Sequence, residues 1–386
     1  MTTSALICCA YPFGYGPAVK LLLISCRLRA AGLQTIFVGH GIAHEMAAGS
    51  DAFQEVIHAL PGNPDAARRI ASADGLFSMM ERDFTGLALD SSRPVYVADS
   101  LHWMRDEVPV PFAHAQCYWV QNFVSADPHP RAGAIPVGPI VEPRRPTPEQ
   151  HRHGLVINLG GCESPAGPAA EDYAYGDFVM RGLLRSGVPD LFQGDVCLLA
   201  GSRAVSRLRA AFPDCRIPIR SVSHDDALDL LGTAACVLTS PGLTASLECF
   251  QFAVPTYFLP PQNYSQWRIL NHLQDAGLAA GAFSWPQVMD DLPAFASAPE
   301  AGRTPIVRRI ISELSTSRPA TRIFAESLQR WAATDQHELA RRQREFFESL
   351  GPNGVDAIAG ELLRAFGVDR DPVDVAGGVM AGKAWS

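Results

Sequence analysis

The opening segment constrains the fold more than any other part of the chain. Ala5–Ala10 is a short uncharged apolar run that breaks into a turn rich in glycine and proline, Tyr11-Pro12-Phe13-Gly14-Tyr15-Gly16-Pro17. A helix is expected from about Ala18 to Ala31, with Gly32 placed to cap it, followed by a second strand at Gln34–Gly39. A strand, a helix and a strand in this order imply a right-handed crossover and a parallel sheet. Gly75–Met79, Val95–Ala98, Cys117–Gln121 and Ile135–Val137 read as further strands.

The pattern then stops and restarts. Glu142-Pro143-Arg144-Arg145-Pro146-Thr147-Pro148 is polar, aperiodic and dense in proline, which marks a linker. Beyond it strands are expected at Leu155–Leu159, Val196–Ala200, Arg216–Arg220, Cys236–Thr239 and Thr256–Leu259. Helices are expected at Tyr173–Ser186, Ala204–Phe212, Asp225–Leu231 and Thr244–Phe252. From about Thr321 to Phe366 the periodicity is helical throughout. The expected fold class is therefore α/β, with two Rossmann-like doubly wound parallel-sheet domains facing a cleft and a helical C-terminal segment. The expected domain bounds are 1–146, 147–330, C-terminal helices at 331–370 packing back across the domains, and a loose tail at 371–386.

Charge and composition narrow the partners. There are 40 acidic residues against 32 Lys plus Arg, a net charge of −8 with no dense basic run, so nucleic acid is not an expected partner. Met1–Ala10 carries no Lys or Arg, and its apolar run is too short for a signal sequence. The run Leu21–Cys26 lies between Lys20 and Arg27, far short of the roughly 20 residues a spanning helix needs. No integral membrane contact is expected, and the expected location is cytoplasmic. Nine cysteines form no C-x-x-C pair and fit buried reduced thiols.

Ligands of doubly wound sheets bind beyond the carboxyl ends of the strands, so the loops there carry the chemistry. Thr239-Ser240-Pro241-Gly242-Leu243-Thr244-Ala245-Ser246-Leu247-Glu248 leaves a strand, turns at Pro-Gly and enters a helix. The free amides of that helix start, with the Thr244 and Ser246 hydroxyls, suit a phosphate. Glu248, one turn beyond Thr244, can take both hydroxyls of a ribose. A capped helix with a solvated Glu fits the same residues. Downstream, Gln262, Asn263 and Gln266 form a polar loop whose amides suit sugar hydroxyls.

The stretch 240–277 resembles the nucleotide-sugar-binding region of GT-B glycosyltransferases of the MurG and UDP-glycosyltransferase type. The shared features are the Pro-Gly turn, Ser246-Leu247-Glu248, Val254-Pro255, Pro260, Gln266 and Gly277. The resemblance implies that Glu248 binds the ribose of a UDP donor, that Ser240, Gly242, Leu243 and Thr244 hold the diphosphate, and that Gln266 and Asn263 meet the sugar. Asn158-Leu159-Gly160-Gly161-Cys162-Glu163-Ser164 is placed like the second diphosphate loop, with Gly161 and Ser164 donor-binding. Arg203 offers a cation, and Arg220-Ser221-Val222 presents backbone at Val222 to the uracil edge. The nucleotide-sugar is then a co-substrate, with no cofactor and no metal. His151 and His153 have no further ligands nearby, and no Asp-x-Asp motif stands out.

Two departures from the family pattern matter. Tyr15 stands where these enzymes usually carry a catalytic His, and Ser240 replaces the His that opens the donor motif. Either the base comes from elsewhere or the acceptor needs little activation; as base, Asp99, in Asp99-Ser100-Leu101-His102-Trp103, is the first candidate, with His102 second. His40 and His44 follow the second strand as acceptor-side or structural residues. Phe13-Gly14-Tyr15-Gly16 with Lys20, Asp99-Ser100-Leu101 with Trp103, and Asn158-Leu159-Gly160-Gly161 resemble the cytosylglucuronate synthase type. That resemblance implies an inverting transfer, metal-independent, of glucuronic acid from UDP-glucuronate to a nucleobase, with Gly14, Gly16, Lys20 and Trp103 on the acceptor side. Lys20, Arg203 or Arg268 can pair with the donor carboxylate. The partners implied are a UDP-sugar and a small-molecule acceptor, for a monomer or homodimer.

Other classes fit less well. A dehydrogenase needs a third glycine after Gly14-Tyr15-Gly16 and an acid after the second strand, where Val38-Gly39-His40 stands. A UDP-sugar 2-epimerase shares the architecture but needs acids and histidines converging on the sugar. A catalytically inactive sugar-nucleotide-binding partner stays open.

Overall fold

The computed structural model of the chain describes residues 4–12, 14–124, 133–160, 174–192, 194–289, 298 and 300–368. It contains two compact units. Unit 1 runs to Pro143 and resumes at Glu348, while unit 2 is Arg144–Phe347. The division falls inside the proline-dense stretch, where aperiodic polar sequence offers nothing to a core.

Unit 1 is built on β1 (Ala5–Ala10), β2 (Gln34–Gly39), β3 (Glu55–His58), β4 (Gly75–Met79), β5 (Val95–Asp99), β6 (Cys117–Gln121) and β7 (Ala134–Val137). These form one parallel sheet in the order β3-β2-β1-β4-β5-β6-β7, with Leu6 opposite Gly75 and Ile7 opposite Ile36. The central strands are apolar along their length because both faces of a parallel sheet are covered. The strand β3, which the sequence pattern does not announce, sits at the edge, and its Glu and His ends face outward.

The helices of unit 1 are α1 (Tyr15–Ala30), α2 (Gly41–Ala48), α3 (Pro64–Ser72), α4 (Asp83–Asp90) and α5 (Val110–Ala113). Helix α1 begins at Tyr15 and not at Ala18, since Gly14 turns the chain with φ 84° and Pro17 falls in the first turn, where its missing N–H costs nothing. Every residue from Ala18 to Leu28 is buried, so α1 is covered on all sides. It ends as expected at Gly32, whose φ of 98° lets the Gly32 and Leu33 N–H groups bond the Arg29 and Leu28 carbonyls.

The C-terminal helix Gly354–Ala365 packs on α1 and belongs to this unit. Arg27, buried in α1, pairs with Glu142 at 3.1 Å and with Asp356 at 3.4 Å. Gly138, just after β7, has no room for a side chain, because a Cβ there would lie 1.9 Å from the Pro352 carbonyl oxygen.

Unit 2 contains β8 (His153–Asn158), β9 (Val196–Leu199), β10 (Ile219–Arg220), β11 (Ala234–Thr239) and β12 (Thr256–Phe258), parallel in the order β10-β9-β8-β11-β12. The expected strand Arg216–Arg220 shrinks to two edge residues, with Pro218 at its mouth. Its helices begin with α6 (Ala174–Ser186), α7 (Ser202–Ala211), α8 (His224–Thr233), α9 (Leu243–Gln251) and α10 (Tyr264–Asp275). The helix Arg318–Ala332 packs on α6, where Phe324 stacks on Phe178 with ring centroids 5.4 Å apart.

The helices of 331–370 divide at Glu348, those before it belonging to unit 2 and Gly354–Ala365 to unit 1. Gln343, on the helix Gln336–Ser349, is fully buried in unit 2 and bonds the Thr256 backbone and the Leu278 carbonyl. Among the described residues no helix is long and apolar enough to cross a membrane. The described cysteines are free thiols, and Cys162 lies outside the described residues.

Candidate functional site

In unit 2 the strand order reverses between β8 and β11, and the crevice beyond the carboxyl ends of such a pair is where doubly wound sheets bind ligands. Three loops interlock there. Asn158 closes the β8 turn, its Oδ1 accepting from Gly160 N at 2.9 Å while its carbonyl accepts from Ser240 N at 3.0 Å. Ser240 Oγ donates to the Leu159 carbonyl at 3.4 Å, and Gln262 Nε2 donates to the same oxygen at 2.6 Å. Gln266 Oε1 accepts from Gln262 N at 2.9 Å. Asn263 caps α10, its Oδ1 accepting from Gln266 N and Ser265 Oγ.

The interlock sets the Gly160 turn beside the start of α9. Gly160 has φ 64°, and a Cβ there would come 3.4 Å from Ser240 Oγ. Gly242 is the N-cap of α9 and supplies no side-chain cap, so the first-turn amides at Leu243 and Thr244 are held by the turn alone. A side chain at Gly242 would meet Gln266 Nε2 at 3.9 Å. Ser240, Gly242 and Gln266 are thus brought together, with Thr244 in the first turn of α9 and Leu243 buried. Gly161 and Ser164 lie outside the described residues.

Some expectations need correction. Ser246 offers nothing to a ligand, because its hydroxyl is buried and donates to the Gly242 carbonyl at 2.8 Å. Glu248 is not a solvated residue at all. Its side chain is 6% exposed, and its Oε1 lies 3.3 Å from Nε2 of His224, the first residue of α8. His224 has no sequence signal of its own, being one His after a Ser223 cap. Burial and the Arg144 guanidinium push its imidazole down to about 4. Val222 is half-buried in the loop between β10 and α8, and Arg203 is exposed in the first turn of α7. Arg268 Nη1 donates to Tyr264 Oη at 3.1 Å.

In unit 1 the order reverses between β1 and β4. Gly14 opens α1, and Tyr15 and Gly16 occupy its first turn instead of a loop. Lys20 is only 1% exposed, inside the buried stretch of that helix, so it does not reach outward as an acceptor-side cation. After β4, Met80 adopts φ 62° and Glu81 caps α4, accepting from Asp83 N at 3.1 Å and Phe84 N at 2.8 Å. Burial pushes the Glu81 carboxyl up to about 7, against the lowering effect of those amides. After β2, His40 and His44 are pushed down by burial and by His58, whose ring lies 4.9 Å from that of His44.

Asp99 also differs from the expectation of an open base. It is the last residue of β5 and is fully buried, with Oδ2 accepting from Arg105 Nε at 2.7 Å and Tyr118 Oη at 3.1 Å. Its Oδ1 accepts from Leu101 N at 2.9 Å. Tyr118 Oη also stands 3.2 Å from His102 Nδ1. A phenol proton given to Asp99 would place the imidazole proton on Nδ1, the tautomer in which Nε2 is the accepting nitrogen. Trp103 follows His102 and packs on Phe123, ring centroids 5.2 Å apart. Sequence order separates Asp99 from His102; the phenol of Tyr118 on the next strand joins them.

Among the described residues no group of three or more His, Cys, Asp or Glu side chains is placed to hold a metal ion.

Residues 82–325 match the family model described as CGA synthase-related protein. No curated protein matches the chain. Among solved structures, MurG of Acinetobacter baumannii is similar over 94% of this chain and 99% of its own, at 13% identity and a TM-score of 0.51. The spinosyn rhamnosyltransferase SpnG, complexed with thymidine diphosphate, is similar over 93% of this chain and 99% of its own, at 14% identity and a TM-score of 0.56. Os79 from O. sativa, in complex with UDP, covers 93% of this chain and 100% of its own at 13% identity, with a TM-score of 0.52. Identities this low speak for the fold, and the family match spans more than half of the sequence. The chain belongs to the CGA synthase-related protein family and has the GT-B fold of the glycosyltransferases.

Proposed function

We propose that the chain is an inverting glycosyltransferase that takes a sugar from a UDP-sugar donor, UDP-glucuronate by its resemblance to the cytosylglucuronate synthase type, and passes it to a small acceptor such as a nucleobase or natural-product scaffold. The observation that carries the reading is the interlock of Leu159, Ser240 and Gln262 at the unit 2 switch point. It holds two glycine turns and an uncapped helix start in one place, and fixed amides there meet the charge that develops on a departing diphosphate. Glu248 takes the ribose, Gln266 and Asn263 the sugar, and Val222 the base. The nucleotide-sugar is a co-substrate.

The acceptor belongs to unit 1. Its nitrogen or oxygen attacks the anomeric carbon, the bond from that carbon to the diphosphate oxygen breaks, and UDP leaves with the electron pair. The acceptor's proton passes to His102 Nε2. The imidazolium that forms is stabilised through Tyr118 by Asp99. Asp99 is then a positioning residue and His102 the base, while Tyr15 marks the turn that lacks the family's usual His.

The test is a thermal-shift panel of UDP, UDP-glucose, UDP-GlcNAc, UDP-glucuronate and dTDP-sugars, followed by acceptor-dependent release of UDP. Stabilisation by UDP and slow donor hydrolysis are expected. Interconversion of UDP-sugars without an acceptor indicates an epimerase, and no shift with any of them removes the donor assignment.

A further inference from the structure

Glu248 is held in unit 2 by a neighbour that the donor motif does not include. Ser223 Oγ accepts from Asp226 N at 3.2 Å and starts α8, which sets His224 at the head of that helix with its ring toward α9. His224 Nε2 and Glu248 Oε1 are 3.3 Å apart, with side chains 11% and 6% exposed. A carboxylate this deep needs a donor close by.

His224 is suited to be that donor without being a counter-ion. It is neutral near pH 7, because burial and Arg144 both oppose its protonation. A neutral ring facing a carboxylate oxygen with Nε2 must carry its proton on that atom, since two lone pairs would otherwise meet. The ring N–H is in contact with the oxygen but not aligned on it, as His224 Nε2 makes no hydrogen bond of good geometry among the described residues. Contacts of this kind tighten when a ligand arrives.

We propose that His224 is the positioning residue for Glu248: it sets the plane of the carboxylate so that both hydroxyls of a ribose, and not the single hydroxyl of a 2′-deoxyribose, satisfy it. The inference rests on the ribose role given to Glu248 above. A carboxylate locked in one plane and shielded from water rejects a sugar lacking one hydroxyl, because a buried acceptor is left unmet. A carboxylate free to rotate can turn to the hydroxyl that remains, and the discrimination falls.

The experiment measures Kd for UDP and 2′-deoxy-UDP by calorimetry with the full chain. The wild type should prefer UDP roughly 10- to 100-fold, the range of a hydrogen bond to a charged group. His224→Phe keeps the ring and removes the donor, so it should weaken UDP, leave 2′-deoxy-UDP nearly unchanged and bring the ratio toward one. His224→Gln, which restores an N–H, should recover part of the preference. A loss of affinity equal for both nucleotides means that His224 is structural only, and an unchanged ratio overturns the proposal. Should His224→Phe fail to fold, His224→Leu reads the same ratio. Glu248→Gln keeps the inference apart from its premise: if that variant retains the preference, the ribose role of Glu248 fails, whereas its loss there with no change at His224 defeats only the positioning.

Discussion

Arg105 Nε donates to Asp99 Oδ2 at 2.7 Å, and the carboxylate it meets has no exposure to solvent. With Tyr118 and the Leu101 amide on the same group, Asp99 is fully engaged by its own chain. Those contacts tie the end of β5 to Leu101, Arg105 and Tyr118.

Removing Arg105 leaves that carboxylate buried without its charge partner. Arg105→Leu should cost about 3 kcal/mol, the scale for breaking a buried pair from one side. Asp99→Asn should cost less, because the Asn oxygen still accepts from Leu101 N and Arg105 has partial access to water. Chemical denaturation of the two variants checks the order, and Asp99→Asn being the more damaging would contradict it.

Catalysis should divide differently. His102→Gln should lower kcat by about 100-fold or more, the usual worth of a general base, with donor Kd unchanged. Tyr118→Phe should lower kcat less, since it removes the link to Asp99 but keeps the ring. Steady-state kinetics beside equilibrium donor binding separates the two, and a His102→Gln enzyme with wild-type kcat excludes His102 as base.

Donor binding should follow the interlock and not the count of hydroxyls. Gly160→Ala forces a side chain into the left-handed region, at about 1 kcal/mol before any contact with Ser240 Oγ. Gln262→Ala removes the donor to the Leu159 carbonyl. Both should weaken UDP binding, whereas Ser246→Ala should leave it within about twofold, because that hydroxyl serves Gly242. Equal effects from all three would show that the turn geometry is not what binds.

Glu81 predicts a pH dependence of stability. Its folded pKa of about 7 stands above the ordinary 4.5, so between these values the folded chain holds a proton that the unfolded chain has lost. The stabilising contribution is complete below about 4.5 and is lost as pH rises through 7. The difference in Tm between wild type and Glu81→Gln, followed from pH 4.5 to 8, should move steadily against the wild type. A constant difference across that range would show that Glu81 does not titrate there.

The legible parts of the chain were those whose signal is local. The runs at Ala5–Ala10, Gly75–Met79 and Cys117–Gln121 coincide with strands because a parallel strand buried on both faces must be apolar residue by residue. Edge position hid β3 behind Glu55 and His58 and cut Arg216–Arg220 to two residues. The turn and helix start of Thr239–Glu248 were readable because they follow one another in the chain. Its contacts were not, since the bond from Gln262 to Leu159 spans 103 positions and His224 meets Glu248 from another helix.

The sequence by itself determined the alternation of strands and helices, the break near Pro143 and the glycine turns, all of which follow from near-neighbour sterics and hydrophobic period. Tertiary structure alone decided which polar groups are spent. It buried Lys20 in α1 and turned Ser246 onto its own helix. It engaged Asp99 with Arg105 and Tyr118, and set His224 beside Glu248. The physical reason is that a polar side chain's partner is whatever the fold brings within about 3 Å, and burial then fixes its charge and direction.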